Sequence, residues 1–189
     1  MGTQLDPDKD IITFTEDANK HKTTFITLLF HKPIGIVSNC PEPGQKQITD
    51  LLPKEYATLN TIGRLDKDSE GLILLTNDGV LAKKLLNHEH PREYSVRVNN
   101  PVTDEMIHRL ETGVMILGRT TNPASITMLT DYTFTMRVNE GRNRQIRRMA
   151  EEVGLKVIRL KRFRYGPITL GDLKKGEYRL LTDEEKRQL

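Results

Sequence analysis

Residues 63–79 read GRLDKDSEGLILLTNDG. The second half decides the fold: Leu72–Leu75 is a short apolar run between Gly71 and the turn signal Asn77-Asp78-Gly79, and it reads as a buried strand. The first half carries carboxylates at alternate positions, Asp66, Asp68 and Glu70. With the glycine that follows, they imitate the opening of a calcium-binding EF-hand loop. Such a loop closes with a bidentate Glu at its twelfth position, where this chain has Asn77, and no entering helix precedes Gly63, so the calcium reading is rejected. Two readings remain. One is a polar turn facing water, the commoner origin of such spacing. The other is an acid at the end of a buried strand, facing a cleft. Arg64 and Asp66 directly follow the apolar-leaning run Leu59–Ile62, which counts against the simple turn.

Working outward, Thr24–Phe30 reads as a buried strand and Ile34–Val37 as a second one after KPIG. Ile48–Leu52 fits a short helix ended by Pro53. Asn77 or Asp78 can cap a helix over 79–87, with Val80, Leu81 and Leu85 as its buried stripe. Tyr94, Val96 and Val98 alternate with Ser95 and Arg97, the pattern of a half-buried strand. A helix over 103–112 is capped by Thr103 and ended by Gly113. Residues 123–139 read as two strands around a turn at Asp131, 143–153 as a helix, and 155–170 as strand again. Residues 1–22 are polar and aperiodic, a flexible tail ahead of one domain over 23–189. Strands outnumber helices without strict alternation, so the expected class is α+β with a mixed or mostly antiparallel sheet.

Composition narrows the setting. The 189 residues are 36% apolar and 29% charged, ordinary for a soluble globular chain. The single cysteine, Cys40, cannot form an internal disulfide. No targeting segment is visible, and the longest apolar run, Phe25–Phe30, is too short to span a bilayer. A cytoplasmic protein, away from membranes and monomeric, is expected. The histidines suggest no metal site: His88 and His90 lie two apart in a turn with Pro91, with no cysteine nearby.

Charge is unevenly placed. Between Arg137 and Arg164 ten Lys or Arg stand against three acids, a local +7 in a chain whose net charge is +3. A concentrated basic segment is the footprint of a phosphate-rich partner. Within it, Ile146, Met149, Ala150 and Val153 form a core stripe at helical spacing. Arg144 then lies one turn from Arg147 and Arg148. Like charges so spaced weaken a helix unless an anion answers them, and the positive end of the helix dipole adds to the discomfort. Glu151 and Glu152 offer a partial answer; a bound anion or a buried carboxylate offers a better one.

These segments together resemble the RNA pseudouridine synthases, in particular the RsuA-like group that modifies ribosomal RNA. GRLDKDSEGLILLTNDG is similar to the family signature. HKPIGIVS (31–38), REYSVRV (92–98), EGRNRQIRRM (140–149) and VIRLKRFRYG (157–166) agree with further motifs in the family's order, and the likeness covers about residues 24–183. The resemblance implies a sheet core with flanking helices and a central cleft, and isomerisation of uridine to pseudouridine without cofactor or metal. It implies that Asp66 is the essential aspartate, that Tyr94 stacks on the target base and that Arg147 pairs with the aspartate. Arg64 would lie near the flipped nucleotide and Leu160 beneath the base. From the basic segment itself, Asn143, Arg144 and Arg148 are expected on the substrate. The expected partner is ribosomal RNA of the large subunit, with transfer RNA as the alternative. Many relatives carry a small RNA-binding domain ahead of this core. Here about two dozen residues precede it, so either this member lacks that domain or the chain is part of a longer one.

The chemistry fits one carboxylate. Glycoside hydrolysis uses two, because water must be activated as well as the leaving group. An isomerase that keeps its base in place activates no water. Asp66 could attack C1′ or remove a proton from C2′; the residues do not choose. Either route needs a charged carboxylate in a site dry enough to exclude hydrolysis, and an adjacent arginine favours that charged form. Asp68 and Glu70 are assigned to turn structure. The rival from another class is a non-catalytic RNA-binding protein on the same scaffold.

Overall fold

A computed structural model describes residues 24–86 and 90–189. The expected tail over 1–22, the end of the first helix at 87, and His88 lie outside the described residues. In chain order the elements are β1 (Thr27–Lys32), β2 (Asn60–Ile62), β3 (Glu70–Thr76), α1 (Gly79–Leu86), β4 (Arg92–Val98), α2 (Asp104–Thr112), β5 (Met115–Ile116), β6 (Arg119–Thr120), β7 (Ser125–Thr130), β8 (Thr133–Val138), α3 (Gln145–Glu152), β9 (Val157–Tyr165), β10 (Ile168–Thr169), β11 (Tyr178–Leu180) and α4 (Asp183–Gln188).

The main sheet runs β11-β1-β3-β9-β4-β8-β7, with β2 beside β3 and β10 beside β9. Every pairing is antiparallel except β3 with β9. The expected mixed, mostly antiparallel α+β sheet is what forms. Its two halves bury charge and apolar surface differently. In β1 and β3 alternate residues feed two cores: Leu28, Phe30, Ile73 and Leu75 face one, Leu29, Leu72 and Leu74 the other. A strand covered on both faces reads as a continuous apolar run, which is why LILLT lacks alternation. In β4 and β8 only one face is covered, by Ile146, Met149 and Ala150 of α3 among others, and alternation is clean.

The halves meet at a narrow seam. β3 pairs with β9 through only Glu70↔Lys161 and Gly71↔Arg162, while β2 takes the rest of that edge from Leu74 to Thr76. Gly71 makes the seam possible. Its φ is +116°, and a Cβ there would sit 2.1 Å from the Arg162 carbonyl oxygen. Only a residue without Cβ lets the backbones approach this closely.

Three local expectations are corrected. The first strand begins at Thr27 rather than Thr24, because the Ile26 backbone is engaged by the Asn77 and Thr76 side chains. Ile34–Val37 forms a turn with one isolated bridge, Val37↔Gln47, rather than a strand. Lys32 folds its ammonium back onto the carbonyls of Pro33 (2.9 Å) and Ile36 (2.6 Å), and Gly35 turns the chain at φ +91°. In α1 the buried residue is Leu85, whereas Val80 is 82% exposed. Val80 lies five residues before Leu85, off its side of the helix. The Asp78 cap is present, its Oδ1 accepting from the backbone N–H of Val80 and Leu81.

Candidate active site

The loop 63–69 carries Asp66 from β2 to β3. Its fixed point is Leu65, whose backbone N–H donates to the buried Ser38 hydroxyl (2.9 Å) while that hydroxyl donates to the Leu65 carbonyl (2.7 Å). Leu65 is buried, and Arg64 and Asp66 on either side of it line a cleft of about 200 Å³. Tyr94, Ile146 and Leu160 supply apolar lining, and Arg92, Arg144 and Arg162 supply charge. A volume below the about 300–1,000 Å³ of pockets for larger ligands suits a group the size of one base.

The basic segment meets the acidic loop across this cleft. Arg144 lies 3.3 Å from the Asp66 carboxylate and grips Asp68 with both terminal nitrogens, at 3.3 and 3.1 Å. Arg147 is buried beneath. It donates to the Asp68 carbonyl (2.8 Å), the Ser69 hydroxyl (3.2 Å) and the Val157 carbonyl (3.3 Å), and its Nε lies 3.3 Å from the Asp68 carboxylate. The pairing of Arg147 with Asp66 implied by the resemblance is therefore replaced here. Arg144 holds Asp66, while Arg147 clips the loop backbone to α3 and β9. The reason lies in the start of the helix: Arg144 is its N-cap residue at φ +48°, ψ +33°, a conformation uncommon for a side chain of this size. It places Arg144 at the mouth, while Arg147 lies on the buried side of the helix. Asp68 is thus more than a turn residue. Burial alone would push its carboxyl up, but the guanidiniums of Arg144 and Arg147 more than offset this and hold it below the usual carboxylate range.

Glu70, also assigned to the turn, is fully buried at the seam, held by Arg159 and by Lys175 at 2.7 Å. Burial works against its charged form, and the hydrogen bonds from Lys175 and Arg159 more than offset that, leaving its pKa lowered. Lys32 is buried as well, and burial lowers its ammonium pKa to about 8 against the opposing pull of Asp66, Asp68 and Glu70.

Tyr94, Leu160 and Arg64 line the cleft with Asp66. Arg148 and Asn143 do not: Arg148 donates to the Asn143 carbonyl (3.2 Å) and side-chain oxygen (3.3 Å), outside the cleft lining. Two further arginines form its floor. Arg92 and Arg162 are 8% and 2% exposed, and their guanidinium carbons lie 5.1 and 5.4 Å from the Tyr165 ring centre. Arg162 donates to the Leu72 carbonyl at 2.8 Å, and neither arginine has a carboxylate partner among the described residues. Arg92 was findable, since it shares the alternation of Tyr94, Val96 and Val98 and so their buried face. Arg162 lies between the two register shifts of the β4–β9 pairing, which break the alternation of β9 on either side of it. Among the described residues no three His, Cys, Asp or Glu side chains converge as a metal site would require, and no helix is long and apolar enough to cross a membrane.

A carboxylate at the mouth of a cationic, partly apolar cleft of base size can act on the sugar of an anionic nucleotide. Comparison with known proteins agrees. The profile of the RNA pseudouridylate synthase family matches residues 26–152. The dual-specificity RNA pseudouridine synthase RluF of Salmonella typhi is 40% identical over 162 residues, 85% of this chain. The chain spans 56% of the length of RluF. Ribosomal large subunit pseudouridine synthase B of Bacillus subtilis is 36% identical over 173 residues, 87% of this chain and 71% of that protein. A crystal structure of a pseudouridylate synthase superposes with a TM-score of 0.82 at 31% identity, covering 87% of this chain and 74% of the other. On the sequence profile, the relatives and the fold, the chain belongs to the RNA pseudouridylate synthase family.

Proposed function

We propose that this protein converts a specific uridine of large-subunit ribosomal RNA to pseudouridine, with residues 23–189 as the catalytic domain, acting as a monomer in the cytoplasm. The observation that carries the reading is the position of Asp66: a carboxylate fixed at a cleft mouth between an apolar wall and an arginine floor. The target uracil leaves its stack, at a cost of a few kcal/mol, and stacks on Tyr94, with Leu160 beneath it. A stacked base is worth about 1–3 kcal/mol. Arg64 lies beside the nucleotide and Arg144 meets the phosphate path. Arg147 does not touch the base in this scheme; it positions Asp66 by fixing the loop.

The bond from C1′ to N1 breaks, the uracil turns, C5 bonds to C1′, and the C5 proton leaves as N1 gains one. Asp66 starts this by attack at C1′ or by taking the C2′ proton. Substrate and product are isomers, so the balance calls for no redox partner or group donor. The relative named for the ribosomal large subunit supports the choice of RNA.

The test is pseudouridine mapping by carbodiimide labelling and reverse transcription, on ribosomal RNA from cells with and without the gene. One lost stop, restored by the wild-type protein but not by Asp66→Asn, is the expected result. An unchanged ribosomal map would reject this substrate and send the search to transfer RNA.

A further inference from the structure

The half of the sheet made by β9, β4, β8 and β7 has its core on one face only, and the other face carries a second concentration of positive charge. Arg97 of β4 lies opposite Arg159 of β9 on one side and Thr133 of β8 on the other; Ser95 lies between Lys161 and Thr135. Ser95, Arg97, Thr133, Arg159 and Lys161 surround a depression of about 300 Å³. Side chains alternate across a strand, so this depression is on the far side of the sheet from Tyr94 and Leu160.

Like charges directly opposite on neighbouring strands repel. The carboxylates on this side are already engaged, Glu70 by Arg159 and Lys175 and Glu93 by Arg164 at 3.5 Å. Arg97 and Lys161 have no carboxylate partner among the described residues. A row of hydroxyls beside two uncompensated cations suits phosphate and sugar oxygens. No aromatic ring stands among these residues to stack a base, so the fit is to the backbone of a duplex and not to an unpaired strand.

We infer that this face is a second RNA-contacting surface, taking the phosphate backbone of a duplex segment of the same folded RNA whose uridine enters the cleft. The inference rests on the proposed RNA substrate. A short hairpin reaches only the cleft; a large folded RNA reaches both faces.

The test compares wild type with the double variant Arg97→Ala, Lys161→Ala on two RNAs: a full large-subunit ribosomal transcript and a short stem–loop bearing the mapped uridine. For the transcript the variant should bind about tenfold more weakly at moderate salt, with a salt slope shallower by about one for each lost phosphate contact. Binding and turnover of the stem–loop should stay within about twofold of wild type, since neither residue lines the cleft. An unchanged affinity and salt slope on the transcript would overturn the inference, and so would equal losses on both RNAs. If the double variant melts early, Arg97→Gln alone replaces it, with a slope change of about one expected. Failure of wild type to convert either RNA would count against the isomerase reading, while the binding arm would still decide the role of this face.

Discussion

The mouth of the cleft and the base of β3 are built from one stretch, Arg64–Glu70, and they treat charge in opposite ways. At the mouth the Asp66 and Asp68 side chains are 32% and 48% exposed, and Arg144 is 41% exposed. At the base Glu70 and Lys32 are fully buried. Ion pairs in water are worth little and exchange freely, so Arg144 can release Asp66 at little cost. Buried charges are costly to separate from their partners, so the base holds the loop in one place. On the proposed function, reactivity belongs to the wet end and positioning to the dry end.

The comparison breaks first at Asp66. Asp66→Asn should lower turnover by more than about a thousandfold while RNA affinity changes little; single-turnover kinetics with filter binding would check it. A loss of binding equal to the loss of activity would refute the division of roles. Gly71→Ala should cost at least about 4 kcal/mol in urea denaturation, because the new Cβ collides with backbone at the seam. Glu70→Gln should cost about 2 kcal/mol by weakening the charge-assisted hydrogen bonds from Arg159 and Lys175, which are half-exposed and solvated without it, yet leave turnover per folded molecule near wild type. A variant with full stability and slow turnover would move Glu70 to the reactive end.

Lys32 gives the comparison a pH signature. Its folded pKa of about 8 lies below the ordinary 10.5. Between those values the unfolded chain binds the proton that the native state has released, so stability from this group rises with pH. The rise should amount to at most about 3 kcal/mol from pH 8 to 10.5, and Lys32→Met should abolish it in denaturation curves compared at both pH values. The smallest effect belongs to the exposed partner: Arg144→Ala should weaken RNA binding by about 1 kcal/mol and flatten its salt slope by about one, with fold stability nearly unchanged. A large stability loss would show that the mouth is as rigid as the base.

What the sequence made legible follows the same division. The β4 alternation, the continuous run of β3 and the Ile146–Met149–Ala150–Val153 stripe were readable because apolar burial leaves a period. Asp66 was marked by its place after a buried segment, and Tyr94 by its position on an alternating strand. Buried charges leave no such mark. Arg162 and Glu70 look like surface residues in one dimension, since the Leu72 carbonyl, Arg159 and Lys175 that answer them lie far along the chain; Lys32 does so because the Pro33 and Ile36 carbonyls meet it only once the chain turns at Gly35. Arg147 was singled out in the sequence, but its partners depend on the left-handed turn at Arg144, which nothing in NRQIRR announces. The turn at Ile34–Val37 was missed for a related reason: a lysine bonding its own downstream carbonyls defeats an apolar pattern that otherwise suits a strand.

The two-pair seam between β3 and β9 also has a mechanical meaning. A sheet joined along six residues resists shear as one plate; a sheet joined at Glu70 and Gly71 behaves like two covers on a spine. The cleft lies along that spine, with Asp66 carried by one cover and Tyr94 and Leu160 by the other. A small rotation about the spine changes the distance between the Asp66 carboxylate and the Tyr94–Leu160 wall while both covers keep their hydrogen bonds. Amide hydrogen exchange at the seam residues 70, 71, 161 and 162 should therefore be faster than in the strands on either side, yet slower than in the exposed loop at 66–68.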